Sequence, residues 1–178
     1  MDEGSRRSLR LPVTPSDADV VLLQLGRPPR GTWRVAARCS YGYPTVIATP
    51  SLLPTGEPFP TLLWLTCPHL IEAVGQLESA GHVEVWATRL ANDPALAQRM
   101  READAAYRSA RAIESGGEDA CASVGIAGQR DPLGTKCLHA HVATALAGMS
   151  DPIGEAILGS TASECEDQRC SKGAPISE

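Results

Sequence analysis

Apolar residues recur along this chain with two different periods, and the changes between them mark out its elements. Ala18, Val21, Leu22 and Leu25 fall at helical spacing. Ser16 can cap that run, Asp17 and Asp19 suit the positive end of a helix dipole, and Gly26 stops it. The segment GRPPRG then breaks regular structure ahead of two short strands expected over residues 33–38 and 45–49. Residues 50–60 read as a loop. TLLWLT, bounded by Pro60 and Pro68, is a brief apolar run that suits a buried strand better than a helix. Cys67 precedes Pro68 as the candidate N-cap of a helix running to Ala80, with Leu70, Ile71, Val74 and Leu77 inward and Gly81 ending it.

The next stretch carries both periods, since Val83 and Val85 alternate while Val83, Trp86, Ala87 and Leu90 suit a helix; helix is the preferred reading. Asp93 and Pro94 open the clearest helix, with Leu96, Met100, Ala103, Tyr107 and Ala110 as its apolar stripe and Gln98, Arg101, Asp104 and Arg108 facing outward. A glycine-rich loop over residues 115–134 is long enough to suggest a functional role or disorder. It leads into KCLHAHVA and a helix over residues 136–147, whose buried stripe is Leu138, Val142, Ala145 and Leu146. DPIGEAILG supplies a last short helix.

Short strands and several helices without regular alternation predict an α+β fold, a single compact domain in which a small mixed or antiparallel sheet packs with four to six helices. Residues 1–15 read as a flexible N-terminal tail, 16–158 as the globular domain and 159–178 as a disordered C-terminal tail. Aromatic residues make up only 4% of the chain, so the core must rest on Leu, Val, Ile and Ala, with Trp33, Trp64, Trp86 and Phe59 as its few large pieces. A net charge of -5 argues against nonspecific binding to nucleic acid or to an anionic membrane. The N-terminus lacks the apolar run of a secretory signal, and no stretch approaches the roughly 20 apolar residues of a membrane span. A cytoplasmic location is therefore expected. In such a reducing compartment the six cysteines should be free thiols or ligands rather than disulfides.

Thiolate and imidazole are the side chains that bind soft and borderline metals, which singles out Cys137, His139 and His141 in KCLHAHVA. Residues four apart place Cys137 and His141 on neighbouring positions of one helix face, whereas His139 falls nearly opposite if the first turn is regular. Thr135 is a candidate N-cap that would put Cys137 in that first turn, where a helix dipole favours a thiolate. Cys39 follows a strand and Cys67 sits at a helix start, so Cys39, Cys67, Cys137 and His141 could share a zinc ion or an iron-sulfur cluster if the fold brings them together. Buried apolar cysteines are the alternative. Cys121, Cys165 and Cys170 lack a fixed local direction and are read as incidental, and His69 as a surface side chain or a fourth ligand. Arg38, in a basic series with Arg27, Arg30 and Arg34, and Lys136 are candidates for binding a small anion.

The runs LGRPPRG, VAARCSYGYP, PFPTLLWLTCPHL followed by LES, and DPLGTKCLHAHVA followed by LAG and DPIG resemble the bacterial domain of unknown function 501 family over about residues 16–154. The resemblance implies that Cys39, Cys67, Cys137 and the CLHAH histidines belong to the family pattern. It implies no activity. Three functions remain open: a metalloprotein, either an enzyme on a small anionic substrate or a closed site that only holds the fold; a noncatalytic module docking on a protein partner around structural cysteines; or a thiol enzyme using Cys137 and His141.

Overall fold

A computed structural model describes residues 15–171. Among them are six α-helices and one three-stranded sheet, and the chain is a single α+β domain. Helix α1 (Asp17–Leu25) starts at a capping box, in which Ser16 Oγ accepts from the Asp19 amide and Asp19 accepts from the Ser16 amide. It ends at Gly26, whose φ of 68° puts it in the left-handed region. Its buried residues are Val20 and Val21; Leu22, expected inside, is exposed.

Strands β1 (Arg34–Arg38), β2 (Pro44–Ala48) and β3 (Leu63–Leu65) form an antiparallel meander with β2 in the middle. Every residue of β2 is buried, because α1 and α5 both pack against it and leave it no solvent face. That is why the strand reads as a continuous apolar run rather than an alternating one. Helices α2 (Pro68–Ser79), α3 (His82–Asn92) and α4 (Pro94–Glu114) follow, then α5 (Leu138–Leu146) and α6 (Pro152–Ser160). Cys67 is the N-terminal cap residue of α2, and Asp93 caps α4 by accepting from the amides of Ala95 and Leu96. The doubtful stretch after Gly81 is helical, with Trp86 and Leu90 buried.

The glycine-rich loop is held from below by two residues of α4. Arg111 is completely buried, pairs with Asp119 through two nitrogens, and donates to the carbonyls of Pro60, Cys121 and Val124. Asp104, expected on the outer face, is 3% exposed, because its carboxylate accepts from the Ile126 amide and pairs with Arg108. Gly125 is required beside it, since a Cβ there would lie 1.6 Å from Asp104 Oδ1. Helical periodicity alone could not reveal this face, because the loop that covers it returns from outside the helix.

After α6, residues 161–171 lie against the domain. The Ser40 amide donates to Glu164, His69 Nε2 to the Ala162 carbonyl, and Gln24 Nε2 to Cys170 Sγ, while Arg169 pairs with Glu72. Cys165 and Cys170 are buried there. Residues 1–14 and 172–178, most of the expected N-terminal tail and the end of the C-terminal one, lie outside the described residues.

Candidate functional site

Helix α5 begins at Cys137, whose backbone is extended (φ -145°, ψ 110°), so Thr135 is not its cap. This irregular entry alters the geometry that a helical wheel assigns to KCLHAHVA. His139 comes round to the same side as Cys137, with Nδ1 3.9 Å from the sulfur. The last turn of α2 lies alongside and contributes Glu78, whose Oε1 accepts from the Leu138 amide at 2.6 Å and stands 3.1 Å from His139 Nδ1. Ligand atoms of Glu78, Cys137 and His139 all lie within 4.8 Å of one another, and the three side chains are half-buried.

The second ring nitrogen of His139 is fixed as well, with Nε2 3.1 Å from the Ile71 carbonyl. A carboxylate and a carbonyl can only accept, so in metal-free protein both ring nitrogens carry protons and the ring is an imidazolium. Its pKa is pushed up to about 9 by the contact with the Cys137 sulfur, against the opposing effect of burial, with further help from the Ile71 carbonyl and the Glu78 charge. A value above the ordinary 6.5 means that this interaction stabilises the fold fully below pH 6.5 and is lost as pH rises through about 9. With the ring about a quarter exposed, roughly 1–3 kcal/mol is at stake. Urea unfolding of metal-free protein across that window should show this loss, and His139→Gln should flatten the profile; an unchanged profile in the variant would assign the pH dependence elsewhere.

The other residues singled out by sequence are not gathered here. His141 points into the core, its Nδ1 2.8 Å from Asp151 Oδ2, with the residues 3% and 0% exposed. Asp151 also caps α6 through the amides of Ile153 and Gly154, so the pair fastens α6 to α5. Cys67 lies at the opposite end of α2 from Glu78, eleven residues away or about 16 Å along the axis. It lines a separate cleft together with Cys39, Cys165 and Cys170. The expected set of Cys39, Cys67, Cys137 and His141 is therefore divided by the length of α2 and by the burial of His141. Arg38 holds Asp17 through two hydrogen bonds of 2.8 and 2.6 Å, so an anion would have to displace that carboxylate. Lys136 is exposed beside Cys137.

Sequence reasoning missed Glu78. Its one signal was an acid in the last turn of a helix, the end at which the dipole disfavours negative charge.

A family model described as Protein of unknown function (DUF501) matches residues 35–159, which include Glu78, Cys137 and His139. The chain belongs to this family. No curated protein and no solved structure matches it. Cys39 and Cys67 fall within the matched residues of this DUF501 protein, whereas Cys165 and Cys170 lie beyond them. No helix among the described residues is long and apolar enough to cross a membrane.

Proposed function

We propose that Glu78, Cys137 and His139 bind one divalent metal ion of the zinc class, and that the protein is a metalloenzyme acting on a small anionic substrate. The observation that carries this reading is the convergence of a thiol, an imidazole and a carboxylate within 4.8 Å, the mixed set that zinc accepts. The hydrogen bond from His139 Nε2 to the Ile71 carbonyl supports it, because a ligating histidine commonly donates its outer N–H to a carbonyl, which fixes the tautomer and turns the other nitrogen to the metal. Three protein ligands leave a fourth position for water or substrate, as in catalytic rather than structural sites. Lys136, exposed next to the site, is the group that would draw an anion towards it.

Metal analysis tests the reading by difference. Cys137→Ser, Glu78→Gln and His139→Ala should each lose one equivalent of bound metal relative to the unaltered protein while keeping their helical circular dichroism. Unchanged metal content in all three would defeat the proposal. A second reading, cysteine nucleophile chemistry, draws on the His139 imidazolium beside the Cys137 sulfur with Glu78 behind it. Rapid alkylation of Cys137 in metal-free protein, unaffected by added zinc, would favour that reading, whereas protection by zinc favours the metal site.

A further inference from the structure

The cleft at the other end of α2 contains more sulfur than the proposed metal site. Cys39, at the turn after β1, Cys67, at the head of α2, and Cys165 and Cys170, on the segment after α6, line one cleft. Cys67, Cys165 and Cys170 are 6%, 9% and 7% exposed, and all four are free thiols. Their approach is specified by local structure. The Gly42 amide donates to the Cys39 carbonyl and the Cys39 amide to the Tyr43 carbonyl, which folds the turn over the cleft. The amides of Leu70 and His69 face the Cys67 sulfur from the start of α2 without closing a capping bond. Ser40, His69 and Gln24 hold the segment that bears Cys165 and Cys170 in place.

One observation points to a bound group in this cleft, and a second bears on its size. Thr45, only 3% exposed and lining it, has a hydroxyl with no hydrogen-bond partner among the described residues. Such an orphaned donor suits a centre whose sulfurs accept hydrogen bonds. The second is spacing. A single tetrahedral zinc ion with bonds of about 2.3 Å would hold its sulfurs about 3.8 Å apart. Among the described residues, no three of these sulfurs lie within 4.8 Å of one another. A polynuclear cluster places several metal atoms between its thiolates and spreads them more widely.

We propose that Cys39, Cys67, Cys165 and Cys170 ligate an iron-sulfur cluster, which fastens the segment after α6 across the end of the sheet. Burial raises the thiols of Cys67 and Cys170 above their ordinary range, and each is raised further by neighbouring cysteines. Without a metal these groups remain neutral thiols, and ligation would expel their protons. The site shares no residue with Glu78, Cys137 and His139, so either can fail without the other.

The test is iron and acid-labile sulfide content, with the visible charge-transfer spectrum, of the full chain purified or reconstituted without air. Iron and sulfide should be present together, lost in Cys165→Ser with Cys170→Ser and in Cys39→Ser, and retained in Cys137→Ser. The paired change lies outside the hydrophobic core cluster, so the domain should stay folded and the segment 161–171 should become open to protease. Reconstituted protein without iron and sulfide, a zinc ion without sulfide, disulfides between these cysteines, or a cluster that survives the paired change would each overturn the proposal.

Discussion

Arg111→Ala should lose about 3–5 kcal/mol of folding stability, the cost of removing one partner from a buried, hydrogen-bonded ion pair. The guanidinium has no exposed surface and, among the described residues, is the one cation paired with Asp119. Removing it leaves a carboxylate with 7% of its side chain exposed and takes a donor from each of the Pro60, Cys121 and Val124 carbonyls. Burial pushes the Asp119 carboxyl up, yet the Arg111 hydrogen bonds and charge, with help from the Cys121 amide and Ser51, bring it below its ordinary value; without Arg111 only those two weaker partners would oppose burial. Because domains of this size are stable by only about 5–15 kcal/mol, the loss should lower the melting temperature by roughly 10 °C or more. Arg111→Lys should recover less than half of it, since an ammonium cannot reproduce the fork that reaches Asp119 and three carbonyls together. Melting of Arg111→Ala at the wild-type temperature would show that the loop is not held from α4.

Where chemistry is local, the sequence was legible. Ser16 with Asp19, Asp93 before Pro94 and Cys67 before Pro68 announce helix starts that the structure contains, because a cap acts within its own turn. The α+β class followed from the same local periods. Burial set by distant segments was less visible: Asp104 and Arg111 lie on a face covered only when residues 115–134 fold back over α4. The cysteines illustrate both limits. Cys39, Cys67 and Cys137 stand out by their positions in the sequence, but only the tertiary fold assigns Cys137 to Glu78 and the other two to Cys165 and Cys170. The last pair lies in polar sequence with no period, so nothing short of the packing of that segment could mark them. A regular helix turns residues two apart to opposite sides, which separates His139 from Cys137 only if the first turn is regular, and the extended backbone of Cys137 removes that premise.

Gly154→Ala should destabilise the protein by about 3 kcal/mol, at the upper end for overpacking, because the added atom meets backbone rather than a movable side chain. An ideal Cβ at Gly154 would lie 2.2 Å from the His141 carbonyl oxygen, 2.7 Å from its carbon and 2.9 Å from Ala145 Cβ. Helices α5 and α6 therefore cross at the distance of bare backbone. Neither can retreat easily: the Asp151–His141 hydrogen bond joins them one turn away, and Ile153 and Ile157 on α6 are part of the main core cluster. Ala145→Gly in the same chain removes only the 2.9 Å contact and should restore little, since the His141 carbonyl remains. The effect should also reach the proposed metal site, because α5 carries His139 two residues before His141, and a displaced α5 would move its ring relative to Glu78 on α2. If Glu78, Cys137 and His139 bind zinc as proposed, the zinc affinity of the folded fraction should accordingly fall in Gly154→Ala, although residue 154 is not one of those three. Denaturant unfolding and zinc titration of this variant measure the two effects separately. If stability falls while zinc affinity is unchanged, α6 supports the fold alone; if neither changes, the close crossing of the two helices is not as drawn.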